Sequence, residues 1–436
     1  MKYILLSSLL FFNLHAEIAI EEAWQRVQKL NDGLIASKND VHRAKLKQDS
    51  ASSMYLPSVS LGASYTHLDK PIGLDIGEIV PVKHHELDFS EQDILLADLR
   101  VIYPLYTGGK IDATQDIYMA KVNESRSKDK MKKDKAFLDL IKVYYGVLIS
   151  KSLYKTRQEA QDSLQHHFDN AKKLKEQGQI AKIELLNAEV KLDAAKIDAR
   201  KAKHKLEIST SALHKMIKQN NTPSSSLFIS DDISSQSHYA DESAENFAII
   251  GVLDAKSQQT LALIDIKKAA WLPQVGAYAN VNLYRDDSVL MQTMPNWMAG
   301  VALKYELFSR SDRSSDVQAA KLLHSNIAHL KTQAQEDLRL LVEKTYKEML
   351  LYKEEFRSLS SSLALANENY KLREIAFSEG LSTSLEVVDA QVFLSSVKTK
   401  RLNALYIYTQ KISQLCVLSG DSEMFFKILN NAQEIR

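Results

Sequence analysis

The chain has little of what interrupts helices and none of the usual marks of catalysis. It contains one cysteine, seven prolines and 13 glycines in 436 residues. A single cysteine, Cys416, excludes an internal disulfide framework. Its neighbours Leu415, Val417 and Leu418 mark it as a small core residue. Proline and glycine fall well below their usual shares of about 5% and 7%, which leaves room for long unbroken helices. Neither sign of charge is in excess: 56 basic residues face 55 acidic ones, so no nucleic-acid partner is indicated. No segment approaches the run of roughly 20 apolar residues that a membrane-spanning helix needs. Nor is there a nucleophile–base motif, a phosphate-cradling glycine loop or a Cys/His metal cluster. The expectation is a protein that is not an enzyme and needs no cofactor or metal. Two adjacent histidine pairs, His84-His85 and His166-His167, are poor metal sites, because sequence neighbours on a helix point apart.

What is present begins with Met1-Lys2, followed by the apolar run Ile4 to Phe12 and a small residue, Ala16, before Glu17. This pattern predicts a secretory signal peptide over residues 1–16. Three fates remain for an exported chain without an apolar helix: soluble in the periplasm, secreted, or a β-barrel in an outer membrane.

The sequence then repeats itself. Tyr55-Leu56-Pro57-Ser58-Val59 returns 216 residues later as Trp271-Leu272-Pro273-Gln274-Val275. Tyr103-Pro104-Leu105-Tyr106 returns after 202 as Tyr305-Glu306-Leu307-Phe308. Glu176-Gln177-Gly178 returns at the same 202 offset as Ser378-Glu379-Gly380. The run Ile183 to Ala188 is matched in the same way by Leu385 to Ala390. Landmarks in one order indicate a duplication. The first repeat spans residues 17–220 and the second 242–436, joined by a polar linker over 221–241. The fall in offset predicts a loop about 14 residues longer in the first repeat.

Four segments alternate with the period of a two-faced strand: about 56–67, 94–106, 272–285 and 297–308. Tyr103, Trp297 and Tyr305 lie near strand ends, where an aromatic girdle would meet a bilayer surface. Between strand pairs, Ile111 to Glu176 holds no proline and only Gly146, and Asp312 to Glu379 holds neither breaker. In the second stretch Leu338, Val342, Thr345, Met349, Tyr352, Phe356, Leu359, Leu363, Ala366 and Tyr370 follow alternating steps of four and three. That is a heptad seam and predicts coiled-coil packing. Each long helix should end at Gly178 or Gly380 and fold back as a second helix, 180–217 or 384–418. Four strands cannot close a barrel, and open edges are not tolerated in lipid. Several copies must then share one barrel, and three copies with twelve strands are the simplest solution.

The order signal, Leu-Pro strand, strand ending in Pro104 to Gly109, long helix, glycine turn and helix, all repeated, resembles the TolC-like outer-membrane efflux protein family. The stretch Phe377 to Gln391 is similar to that family's second periplasmic turn. The resemblance implies a mainly α fold with a β-barrel part. Its two structural repeats would each be a β-hairpin plus long coiled-coil helices. It implies a homotrimer in the outer membrane of a Gram-negative envelope, with a twelve-stranded barrel in the lipid bilayer continued by a periplasmic α-helical tunnel. Its function would be a passive exit duct for small molecules. Its partners would be a periplasmic adaptor and an inner-membrane pump of the RND or ABC type. A type I protein secretion duct with an ABC exporter is the alternative within the class, and a secreted coiled-coil structural protein the alternative outside it.

The resemblance also assigns roles. Acidic residues beyond the second glycine turn ring the closed entrance in the family, which carries over to Glu386 and Asp389. Glu184 and Asn187 hold the matching positions of the first repeat. Phe377 fills the family's aromatic position before the second turn. Ser382 stands where drug-efflux members carry a basic residue, so no latching salt bridge is expected there. The turns at Gly178-Gln179 and Gly380-Leu381 are the expected adaptor contacts.

Overall fold

The computed structural model describes residues 17–75, 86–285, 288–309 and 312–435. The signal segment and His84-His85 lie outside the described residues. The chain divides into two compact units, residues 40–126 with 252–331, and residues up to 39 with 127–251 and 332–436.

The first unit contains the alternating segments. They form strands β1 (Ser58–His67), β2 (Asp93–Tyr106), β3 (Gln274–Arg285) and β4 (Trp297–Lys304). These make one antiparallel sheet in that order. Register explains the alternation. Ser60 opposes Arg100, Arg100 opposes Asn280, and Asp98 opposes both Gly62 and Asn282, so polar residues share one face. The other face carries Val59, Leu61, Leu283, Val301 and Leu303, all exposed; Leu303 is 68% accessible. A sheet that turns large aliphatic side chains outward and polar ones to its other face has the pattern of a membrane barrel wall. Pro104, which cannot donate to the ladder, sits at a register shift between β2 and β3. The β1–β2 connection, 68–92, is longer by 14 residues than the β3–β4 connection, 286–296, and it contains a small hairpin pairing Gly73–Asp75 with Glu86–Asp88.

The second unit is helical. Its principal helices are α1 (Lys110–Glu176), α2 (Lys182–Ile217), α3 (Arg313–Ser378) and α4 (Ser384–Leu418), with α1 and α3 entering it at residues 127 and 332. None of the ten seam residues of α3 is exposed, and Val342, Thr345 and Met349 are fully buried. Thr345 is polar in an apolar seam, and its hydroxyl donates back to Leu341 O at 2.7 Å. No helix among the described residues is long and apolar enough to cross a membrane.

One end of the bundle is closed by a mixed core. Ile20–Leu30, Gln236–Asn246 and Met424–Asn430 are short helices there. Residues expected to be a polar linker take part in it. Thr222–Pro223 pairs in parallel with Glu17–Ile18, and Leu227–Ile229 pairs antiparallel with Gln433–Ile435. Phe228 is fully buried between the rings of Tyr145, Tyr408 and Phe425, and Trp24 meets Phe137 edge-on at 5.2 Å. Two tyrosines pin this chain to the helices. The Tyr144 hydroxyl donates to Ile18 O at 2.7 Å, and the Tyr408 hydroxyl donates to Ser230 O at 2.9 Å while accepting the Ser230 N–H.

Candidate functional site

The other end of the bundle is built from its two turns. Gly178 and Gly380 each adopt φ of 76°, the left-handed conformation that favours glycine. Gly178 N–H donates to Lys175 O and Gln179 N–H to Leu174 O; Gly380 N–H donates to Phe377 O and Leu381 N–H to Ala376 O. Both are Schellman caps, the same hydrogen-bond pair closing each long helix. The expected adaptor-contact residues are thus rigid and outward: Gln179 is exposed and Leu381 is 78% accessible.

Beyond the second turn, Thr383 and Glu386 form a capping box at the start of α4. The Glu386 carboxylate accepts from the Ser382 hydroxyl at 2.5 Å and from the Thr383 N–H at 3.0 Å, and pairs with Arg373 of α3 at 3.3 Å. These groups hold its carboxyl below the usual carboxylate range, Ser382 first. The basic partner missing at Ser382 is therefore supplied from the other helix of the hairpin. Arg373 and Glu386 lie almost equally far from Gly380 along the chain, so folding back at the glycine brings them opposite. Asp389, one turn on, is exposed, and its side chain has no ion pair or hydrogen bond among the described residues.

Phe377 does not line an open passage here. It is buried with Ala171, Ala188 and Val387, and its ring lies 4.6 Å from that of His167. Glu184 reaches across to the second hairpin and accepts the Ser384 N–H at 2.9 Å. Asn187 is half-buried and takes no part in this contact. The sequence reading missed His167 and Ser384 as a pair. His167 is 2% accessible, and its Nε2 lies 2.7 Å from the Ser384 hydroxyl, itself fully buried. Its neighbour His166 faces another element, with Nδ1 3.3 Å from Glu374 Oε1 of α3. The available signal was the opposed direction of adjacent histidines, which argues against a metal and for contacts with two different helices. Among the described residues no three metal-type ligands gather.

On the sheet, Tyr103 and Tyr305 lie near the strand ends that lead into the long helices, and Trp297 opens β4 at the loop end. All three are exposed, Trp297 at 67%. Tyr65, unmarked in the sequence, is exposed near the loop end of β1, and its hydroxyl donates to Asp93 at 2.7 Å.

The family model for outer membrane efflux proteins matches residues 24–217 and 241–421. The chain belongs to the outer membrane efflux protein family. Its place is the outer membrane, and its family and structural neighbours are channel proteins rather than enzymes. None of the curated proteins matches it. Solved structures do. The outer membrane protein VceC from Vibrio cholerae is 13% identical, with a TM-score of 0.74 over 92% of this chain and 96% of that one. The CmeC outer membrane channel of Campylobacter jejuni is 15% identical, with a TM-score of 0.75 over 95% and 90%. The MtrE outer membrane channel of Neisseria gonorrhoeae, solved in its open state, is 13% identical, with a TM-score of 0.74 over 93% and 90%. At such identity these matches establish a shared fold: hairpin strands and long helices, twice over. The fold is mainly α with a β part, as the sequence leads one to expect.

Proposed function

We propose that this outer membrane efflux protein is the passive exit duct of a tripartite system for small molecules. Three copies share one barrel. A periplasmic adaptor engages the turns at Gly178-Gln179 and Gly380-Leu381, and an inner-membrane pump of the RND or ABC type supplies the energy. The observation that carries the reading is the sheet. Among the described residues its edge strands β1 and β4 each have a single hydrogen-bonded neighbour, while its apolar face is exposed. Unpaired strand edges are costly in hydrocarbon, and pairing β4 of one copy with β1 of the next removes them. Twelve strands then make an even-numbered barrel with a polar interior.

The entrance lies at the glycine-turn end. Glu386 and Asp389 stand there with Glu184, Asn187 and Phe377, but in unequal roles. Glu386 is occupied as a helix cap and ion pair, whereas Asp389 is free to face a permeating ion. Three Asp389 carboxylates around an axis favour cations. The experiment has two parts. Native mass measurement of the detergent-extracted outer-membrane fraction should give a trimer, and a monomer would sink the reading. In planar bilayers Asp389→Ala should reduce cation selectivity more than Glu386→Ala. Equal effects, or none, would remove Asp389 from the entrance.

A further inference from the structure

The His167 cluster joins the two helical hairpins at the end where the duct reading places its entrance. His167 comes from α1, Glu184 from α2, Phe377 from α3 and Ser384 from α4, so every principal helix of the bundle contributes one member. Ser384 is held twice: its hydroxyl by His167 at 2.7 Å and its N–H by Glu184 at 2.9 Å. We propose that His167 is a proton-operated lock, a positioning residue that holds the second hairpin against the first while neutral and releases it on acidification.

The chemistry follows from burial. The imidazole is 2% accessible and lies tilted at 57° against the ring of Phe377, itself buried with Ala171, Ala188 and Val387. A neutral ring can serve Ser384 as donor or acceptor, according to its tautomer. A charged ring loses its hydration there without a carboxylate bonded to it. The titratable groups around the cluster are His166 on its own helix, Glu184 on α2, Tyr370 and Glu374 on α3 and Glu386 on α4. Glu184 is engaged by the Ser384 N–H, Glu374 by His166 and Glu386 by Arg373. Burial, with the adjacent His166, lowers the His167 pKa to about 4 from the ordinary 6.5.

The direction of the linkage is fixed by that depression. An unlocked, hydrated His167 takes its proton near 6.5, and the locked one only near 4. The unlocked state therefore binds more protons between these values. The lock is fully formed above pH 6.5 and weakens progressively down to about 4. At pH 4.5 the unlocked fraction should rise roughly 70-fold relative to pH 7.5. The neighbouring His166–Glu374 pair is largely exposed, so screening leaves it weak beside a buried ring.

The proposal rests on the duct reading for its consequence, but the lock can be measured without it. Hydrogen exchange of the amides at 384–391 in the full-length protein, corrected for intrinsic pH dependence, reports release of the first turns of α4. In the wild type, protection should fall by roughly 70-fold between pH 7.5 and 4.5. In His167→Gln, whose amide can still reach Ser384, protection should be nearly independent of pH. Ser384→Ala should lose protection severalfold at neutral pH yet keep the acid response, since His167 remains buried. It also serves as the second variant if His167→Gln does not fold. Constant wild-type protection, or an undiminished acid response in His167→Gln, overturns the lock. If exchange responds as expected while bilayer conductance does not rise with acidification, the lock stands and the assignment of this end as the entrance fails.

Discussion

Asp134 is a carboxylate that the fold leaves almost unserved. It is 6% accessible and its Oδ2 has no hydrogen-bond partner. Burial pushes its pKa up to about 6, against the opposing pull of Lys130 and Lys133. The folded state therefore holds this proton more tightly than the unfolded chain between about 3.8 and 6. Stability contributed by the protonated group is lost as pH rises through that window. At neutral pH the ionised form costs up to about 3 kcal/mol. Asp134→Asn should raise the thermal midpoint at pH 7, and the variant's midpoint should change less than the wild type's between pH 4 and 6. A midpoint lowered at pH 7 would show that Asp134 has a role its contacts do not reveal. The turn glycines make a second case at this scale. No atom lies within 4 Å of where a Cβ would stand on Gly178 or Gly380. Gly178→Ala or Gly380→Ala should thus cost only the left-handed backbone penalty, about 1 kcal/mol each, measured as a fall in thermal midpoint. A much larger loss would mean that the turn is packed against a partner in the assembled protein.

Among the elements, the α3 seam was the most legible in sequence and the core at the far end of the bundle the least. A heptad pattern needs only its own helix to be read, and all ten seam positions face inward. The two faces of the strands were legible for the same reason: polar Ser60, Asp98, Arg100 and Asn280 alternate with aliphatic neighbours over eight residues or more. The stretch after Ile217 was not. Leu227-Phe228-Ile229 is too short to display a period, and its partner strand Gln433–Ile435 lies some 200 residues away. A strand of three residues exists only because that distant partner arrives. The candidate entrance was legible in part. The glycine turns announce themselves by spacing and Glu386 is marked by the family resemblance, while His167 and Ser384 meet through packing between hairpins that no local pattern records. Thr345 tests the seam itself. Its hydroxyl bonds only within its own turn, at a position that is 1% accessible. Thr345→Val keeps the branched shape and should stabilise the protein by about 0.5–1 kcal/mol, whereas Met349→Ala, at a fully buried position, should cost about 2–4 kcal/mol. Denaturant midpoints of both variants check the pair, and a destabilised Thr345→Val would mean that the hydroxyl serves a second helix.

For the whole molecule, the three tryptophans sample three environments. Trp24 is 5% accessible in the aromatic core, where it meets Phe137. Trp271 precedes β3 and lies beneath the Arg313 guanidinium, 5.6 Å from its ring centre. Trp297 opens β4 on the apolar face of the sheet, opposite Val281. In an outer-membrane barrel the apolar face meets acyl chains and its aromatic rim meets the headgroups, because an indole gains from both. Trp297 should therefore be in contact with lipid, and Trp24 should not. Variants retaining one tryptophan each, reconstituted in vesicles containing brominated lipid, separate the cases. Trp297 emission should be strongly quenched, with greater quenching by bromines near the headgroup than by bromines deep in the chain. Trp24 emission should be blue-shifted, as for a buried indole, and nearly unquenched. Trp271, at the helix-side end of the strands, should fall between them. Equal quenching of Trp24 and Trp297 would mean that the sheet's exposed aliphatic face is covered by protein rather than lipid, and the barrel wall would have to be sought elsewhere in the assembly.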